Sequence, residues 1–537
     1  MSEFKFTCPH CEQHMTVDVS WAGHPIACPG CQNQITVPAP SAPVDPSPAS
    51  HDESMAGGPA PAAANGEKKA PVVAIVVGVL LVAGLAVGGF FFMKSGSGDG
   101  SGGQSASRDG QEMATGMDMG AGGEMAAGDP VTLDPSMGGA SGGGGPFPTD
   151  YSWPQWRGPN RDGVSQEKGL AKQWPAGGPP LLWKAGGCGE GYSTVSVAGG
   201  RVYTMGDGSG TSFVHCFKEA TGSKVWSSKP LGRTGGNYSG TKATPTVDGD
   251  RIYALGQFGD LVCLDAASGN EIWRKNLTRD FSGQFSQWNY AESPLVDGDR
   301  LVVSPGGRAG LMLALNKNDA KPIWRTREWT DEAQYVSAIV STIGGRKHYI
   351  QLTQRNVAGV DAQTGRVIWR APRAGKTAIA PSPVVYNNIV FVTSGYGVGC
   401  NAFQVGGSGN RMSARQIYSN REMINHHGGV VLIGKYVYGA SDPGEWRCLD
   451  VTNGNVLWED RGVRKGAVVY ADGHLYCRGE NDGAVALVEA TSEGYREKSR
   501  FQQPDRSRQK AWAHPVVVNG RLYLRDQDAL LCFDVRG

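Results

Sequence analysis

Neither sign of charge prevails in this chain: Lys and Arg number 51 against 50 Asp and Glu, and no segment gathers its cations into a stripe. A surface that tracks phosphates needs such a stripe, so nucleic acid is not expected as a partner. No apolar stretch opens the chain, which argues against a cleaved secretory signal. Residues 38–70 and 95–150 lack apolar periodicity, and much of the excess among the 79 glycines and 31 prolines sits there. Segments that cannot bury a core are read as disordered linkers. No two of the 11 cysteines are adjacent, which matters further on.

Charge is also missing from residues 72–93, an apolar run of 22 positions. At 1.5 Å per residue it spans about 33 Å as a helix, enough for the hydrocarbon layer. Residues 71–94 are therefore expected to form one transmembrane helix that stays in the mature chain. Lys68 and Lys69 precede it and only Lys94 follows closely, so the positive-inside rule favours a cytoplasmic N-terminus. That orientation predicts an inner-membrane, single-pass protein whose C-terminal part faces the periplasm. Within 95–150, Met113, Met117, Met119, Met125 and Met137 provide thioethers of the kind that hold Cu(I), but the preferred reading is a low-complexity spacer of biased composition.

Residues 1–37 carry the sharpest local motif. Cys8-Pro9-His10-Cys11 and Cys28-Pro29-Gly30-Cys31 are two C-x-x-C knuckles separated by sixteen residues. Four thiolates at that spacing close a tetrahedral Zn²⁺ site, and a unit this small needs the metal to fold. A thioredoxin-type redox motif would leave the second knuckle unexplained. A c-type haem would need His where Glu12 and Gln32 stand. Cys8, Cys11, Cys28 and Cys31 are thus expected to hold one structural zinc, with Phe4-Lys5-Phe6-Thr7 and Gln34-Ile35-Thr36-Val37 as flanking strands. With four protein ligands the site has no open position for catalysis.

From residue 151 onward one unit recurs: an apolar strand, an Asp-like residue, Gly four positions later and Trp four after that. It reads Cys263-Leu264-Asp265, Gly269, Trp273, and again Val360-Asp361, Gly365, Trp369 and Cys448-Leu449-Asp450, Gly454, Trp458. Variants are Lys218, Gly222, Trp226 and Asn316, Ala320, Trp324. Asp or Asn caps a turn through its side chain, Gly supplies positive φ, and Trp on the returning strand can wedge between neighbouring units. Before each such hairpin stands a second one, for example Val247-Asp248-Gly249-Asp250-Arg251-Ile252 and Val518-Asn519-Gly520-Arg521-Leu522. Four strands per repeat make a propeller blade. Innermost strands are predicted to start near Tyr192, Lys242, Ala291, Gln334, Ile379, His427, Gly466 and Trp512, giving eight blades. The last repeat stops at Gly537 without its Trp strand, and Leu181-Leu182-Trp183-Lys184 is a Trp strand without a repeat. Joined, they close the ring and remove its open edges. The predicted fold class is all-β: an eight-bladed propeller of four-stranded blades over 151–537, behind a zinc ribbon and one transmembrane helix.

At Asp-x-x-x-Gly-x-x-x-Trp the chain resembles the pyrroloquinoline-quinone-repeat propellers, which include quinoprotein alcohol dehydrogenases and BamB-type outer-membrane protein assembly factors. Trp153-Pro154-Gln155-Trp156-Arg157-Gly158-Pro159 is similar to the lead-in of such propellers in planctomycete-type bacteria. The resemblance implies that Trp183, Trp226, Trp273, Trp324, Trp369 and Trp458 are docking tryptophans. The dehydrogenase branch implies a quinone, Ca²⁺, a carboxylate base and a disulfide between adjacent cysteines, and this chain has no adjacent pair. Cys216, Cys263, Cys448 and Cys532 instead stand two residues before the Asp-like position, where Cys acts as a small hydrophobe. The BamB branch implies a non-catalytic scaffold for envelope proteins, although no lipobox cysteine lies near the apolar segment. The expected function is a membrane-anchored scaffold with envelope or membrane proteins as partners and zinc as its metal. A quinoprotein-like dehydrogenase binding pyrroloquinoline quinone and Ca²⁺ is the alternative. Loops entering the innermost strands place Tyr192, Lys242, Trp288, Tyr290, Glu292, Tyr335, His426, His427, Lys465 and Lys510 at one mouth of the ring, as a candidate ligand or partner surface. Ordinary loop polarity would explain the same residues.

Overall fold

The computed structural model describes residues 3–7, 14–18, 22, 24–27, 34–38, 151–236, 238–409 and 412–537. The chain divides into two units, Met1–Asp129 and Pro130–Gly537. In the first, Glu3–Thr7 pairs antiparallel with His14–Asp18, and Pro25–Ala27 with Gln34–Thr36. The pairs end at Thr7 opposite His14 and Ala27 opposite Gln34, so each C-x-x-C knuckle falls in the connection of a hairpin. The four cysteines themselves lie outside the described residues, as do the linkers and the apolar segment 71–94. Among the described residues no helix is long and apolar enough to cross a membrane.

The second unit is an all-β propeller of eight antiparallel sheets. Blades 1 to 8 have as innermost strands Ser196–Ala198, Thr246–Asp248, Leu295–Asp297, Ile339–Ile343, Val384–Tyr386, Val430–Ile433, Gly466–Ala471 and Val516–Val518. In all but blade 7 the strand starts about three to five residues later than the sequence indicates. The preceding residues lie outside the sheet of their own blade, and some bond to the neighbouring blade. Tyr192 and Ser193 donate their backbone N–H to Thr241 O at 2.8 and 3.0 Å, and Tyr335 donates to Ile379 O at 3.1 Å.

Blade-to-blade stitching gives the repeat its physical meaning. The indole Nε1 of Trp183, Trp226, Trp273, Trp324 and Trp458 donates to a carbonyl in the next blade's outer turn: Glu219, Ala266, Lys317, Ala362 and Thr491, at 2.8 to 3.3 Å. The repeat glycine lies beneath the incoming ring. A Cβ on Gly269 would stand 2.5 Å from Trp226, and one on Gly365 2.4 Å from Trp324. Positive φ and the missing Cβ are both used there. Cys216, Cys263, Cys448 and Cys532 pair across the strands with Trp226, Trp273, Trp458 and Trp183, and all four are free and buried.

Trp369 departs from the expected docking role. Blade 5 has no Asp-x-x-x-Gly turn to receive it, and its Nε1 donates to His348 Nδ1 of its own blade at 3.0 Å, over Gly359. In blade 5 itself Tyr418 replaces the tryptophan, its hydroxyl donating to Val451 O at 3.0 Å above Gly454. In blade 7 the equivalent position is Ser499, opposite Leu487. The lead-in supplies a ring there: Trp174 donates its backbone N–H to Ser499 Oγ at 2.7 Å and packs on Tyr476 and Phe501.

The ring closes as its split repeat requires. Leu181–Ala185 is the outermost strand of blade 8, antiparallel to Ala529–Asp534, with Trp183 opposite Cys532. Upstream of it, residues 153–165 run across the ring axis. Trp153 exchanges backbone bonds with Val197 of blade 1, and Val247 of blade 2 donates to Pro154 O at 2.7 Å. Arg161 donates to Ser293 O and Pro294 O at the entry of blade 3, at 2.8 and 3.0 Å. Arg157 donates to Val430 O of blade 6. Val164–Ser165 pairs parallel with the innermost strand of blade 7. The segment is an axial plug with two arginine spokes.

Candidate functional site

Because each innermost strand is entered from the same end of the ring, its approach residues converge on the axis. They enclose a cavity of about 370 Å³. Blade 1 contributes Tyr192, blade 2 Tyr238 and Lys242, blade 3 Trp288, Ala291 and Ser293, and blade 4 Tyr335 and Ser337. Blade 5 adds Thr377, Ala378, Ala380 and Tyr396, blade 6 His426 and His427, blade 8 Trp512 and His514, and Trp156 of the plug completes the lining. An arc of rings runs along one side: Tyr396 to His426 at 4.4 Å between centroids, His426 to His427 at 3.7 Å, His427 to Trp512 at 4.4 Å and Trp512 to Tyr192 at 4.7 Å. Opposite it Trp288 and Tyr335 stand 5.9 Å apart, fixed by a bond of 2.9 Å from Trp288 N to Tyr335 Oη.

Burial disfavours the charged forms of the basic groups of this chamber, enough to keep its imidazoles neutral. The His426 imidazole is pushed down to about 2 by burial, with His427 and Lys465 adding to the effect. Burial lowers His427 also, against the pull of Glu480. His514 falls to about 3 through burial beside Arg157, and its Nε2 lies 2.8 Å from His427 O. The Lys242 ammonium is lowered to about 8 by burial, partly offset by Asp207. Lys242 Nζ donates to Tyr238 O at 3.1 Å and Gly240 O at 3.3 Å. The nearby carboxylates are spent on donors in the wall. Asp207 accepts from Thr241, from Ser212 at 2.9 Å and from Gln257 at 2.6 Å. Glu480 accepts from Trp512 Nε1 at 3.2 Å and lies 3.5 Å from His427 Nδ1.

Six residues singled out from the sequence thus line the chamber: Tyr192, Lys242, Trp288, Tyr335, His426 and His427. Four others sit apart from it. Tyr290 is buried, its hydroxyl donating to Pro305 O at 2.7 Å. Glu292 alternates to the inner face of blade 3, where it accepts from Ser304 N and burial raises its carboxyl to about 7. Lys465 stands behind His426, 2.7 Å from its Nδ1 and 2.8 Å from Asp442. Lys510 lies outside, bonded to Asn481 and 3.9 Å from Glu480.

Tyr238, Tyr396, Trp156, Trp512 and His514 were not among the expected site residues. Tyr238 and Tyr396 have φ of 56° and 58° and are 55% and 37% exposed. Bulky residues rarely adopt that conformation, and here it turns two aromatic rings to the rim. The glycines flanking Tyr396 are the one sequence sign of it; Trp156 and His514 reach the chamber through the plug and the closure of the ring.

The resemblance of the repeats to those of quinoprotein dehydrogenases raises the question of a quinone with its cation. The lining side chains include no carboxylate, Glu292 is turned into its blade, and among the described residues no group of three or more His, Cys, Asp or Glu could hold a metal ion. This donor set does not fit a Ca²⁺-bound quinone.

Residues 210–460 match the family described as outer membrane protein assembly factor BamB. The tetrathionate hydrolase of Acidithiobacillus ferrooxidans is 23% identical over 70% of this chain and 81% of its own. BamB of Moranella endobia is 22% identical over 58% of this chain and 69% of its own. Among solved structures, quinohemoprotein alcohol dehydrogenase of Comamonas testosteroni aligns over 73% of this chain and 81% of its own, at 12% identity and a TM-score of 0.51. That last likeness is one of fold.

Proposed function

Because residues 210–460 carry BamB-like repeats, we propose that this chain is a non-catalytic propeller scaffold of the cell envelope, which engages partner proteins and uses the axial mouth for recognition. The observation that carries this reading is the chamber: seven Trp and Tyr rings and three neutral imidazoles converge there, with no lining carboxylate to ligate a metal or act as base. Concave aromatic surfaces with few polar groups suit binding. BamB-type relatives favour protein assembly in the envelope as the setting. The apolar segment 71–94 would tether the propeller to the inner membrane with its N-terminus in the cytoplasm, and Cys8, Cys11, Cys28 and Cys31 would hold a structural Zn²⁺ in the ribbon.

The test sets capture against turnover. Crosslinking in intact membranes should trap defined envelope proteins, and Trp512→Ala at the mouth should weaken their capture. Protein reconstituted with pyrroloquinoline quinone and Ca²⁺ should give no dye-linked oxidation of alcohols or sugars, and it should not hydrolyse tetrathionate. Calcium-dependent oxidation, or tetrathionate turnover, would replace the scaffold with an enzyme.

A further inference from the structure

The chamber's charge arrangement specifies its ligand more narrowly. Lys242 is the one lining side chain that carries a charge near neutral pH, since burial holds the three imidazoles neutral. An ammonium has three donors, and Lys242 spends two on Tyr238 O and Gly240 O. One N–H remains for a ligand. No lining side chain is a carboxylate, and Lys242 makes no ion pair among the described residues, although Asp207 attracts it from a greater distance. Asp207 is taken up by Thr241, Ser212 and Gln257, Asp442 by Lys465 at 2.8 Å, and Glu480 by Trp512 with His427 beside it. Aromatic faces alone would welcome a cation. A second cation here would meet this ammonium in a site whose burial already disfavours positive charge.

Shape restricts the rest. A volume of about 370 Å³ lies at the small end of ligand cavities, room for a compact molecule and not for a folded element. Tyr192 and Tyr238 both pack on Trp512 with tilted rings, at 4.7 and 5.2 Å between centroids, and Trp288 with Tyr335 faces them across the mouth. Flat rings gain most among such faces. We propose that the chamber binds an aromatic ring carrying one carboxylate, the ring among the mouth aromatics and the carboxylate on the free N–H of Lys242. The proposal rests on the recognition reading of this mouth and gives it a chemistry.

Three probes sharing one ring separate the possibilities: 3-phenylpropanoate, its uncharged amide and phenylethyltrimethylammonium, each titrated into the full chain and followed by tryptophan fluorescence and calorimetry. The carboxylate should bind at least about tenfold more tightly than the amide, the scale of one charge-assisted hydrogen bond. The trimethylammonium probe should bind more weakly than either. Lys242→Met should abolish the preference for carboxylate while keeping the affinity for the amide, and Lys242→Arg should retain the preference, which shows that the fold survives. Tightest binding of the cation, an unchanged preference in Lys242→Met, or no saturable binding of any probe overturns the proposal. Glycylglycylphenylalanine and its C-terminal amide distinguish sources: equal affinity of the peptide acid and the free acid identifies a chain end, and weaker peptide binding identifies a free small molecule. Loss of partner capture with 3-phenylpropanoate binding intact removes only the scaffold reading. Partner capture without probe binding removes only this inference.

Discussion

The two plug arginines show how a single side chain can fix the centre of a ring. Arg161 is 2% exposed, and its guanidinium donates to Ser293 O, Pro294 O and Gln155 Oε1. Burial lowers it to about 10, with Glu292 pulling the other way, so it remains cationic at neutral pH. Three acceptors share one donor group, and Arg161→Ala would leave Ser293 O and Gln155 Oε1 without partners in a site closed to bulk water, while Pro294 O keeps its bond of 2.5 Å from Thr246 Oγ1. Each unsatisfied buried group costs about 1–3 kcal/mol. Arg161→Ala should therefore destabilise the propeller by about 3 kcal/mol, allowing for partial relaxation. Denaturant midpoints of variant and parent would decide. A variant that unfolds with the parent means that the arginine only fills space.

At the scale of elements, the outermost strand of blade 8 and the plug come from one N-terminal stretch. Leu181–Ala185 completes a sheet whose other strands lie near the C-terminus, while residues 153–165 bond to the walls or entry segments of five blades. Without them blade 8 would present the free edge of Ala529–Asp534 and the innermost strands would lose axial partners. Deletion of residues 151–187 should lower the thermal midpoint far more than deletion of residues 95–145, in a side-by-side melt. Equal effects would show that the C-terminal hairpins close the ring unaided. The tryptophan stitching is less uniform than this closure. Tyr418 and Trp174 supply a ring where blades 5 and 7 lack the tryptophan, so the origin of that ring in the chain is not fixed.

For the whole molecule, two expectations concern segments beyond the propeller. With Lys68 and Lys69 ahead of the apolar run, a reporter fused after residue 66 should be active only as a cytoplasmic marker, and one fused after Gly537 only as a periplasmic marker. A cytoplasmic C-terminal reporter would reverse the orientation. Purified full-length protein should carry one zinc per chain, lost when Cys8 and Cys28 are both replaced by Ser. Zinc retained by that variant would move the metal elsewhere.

Local chemistry carried the fold. Asp265, Gly269 and Trp273 sit close enough in sequence that a turn cap, a positive φ and a docking ring can be read directly, and their recurrence counts the blades. The split repeat likewise placed residues 181–184 beside the C-terminal hairpin, because an unpaired edge strand has to find its complement. Half of the mouth was legible for the same reason, since residues just ahead of each innermost strand point to one end of the ring. Orientation at that end was not legible. A shift of one position turned Glu292 into its blade, and Lys465 and Lys510 fell behind other side chains. Trp156 and His514, far apart in sequence, meet at 4.6 Å only because the lead-in crosses an axis that eight closed blades create. The sequence determined the repeating unit through short-range turn chemistry; the closed ring decided which side chains share the chamber, because that depends on packing between residues hundreds of positions apart.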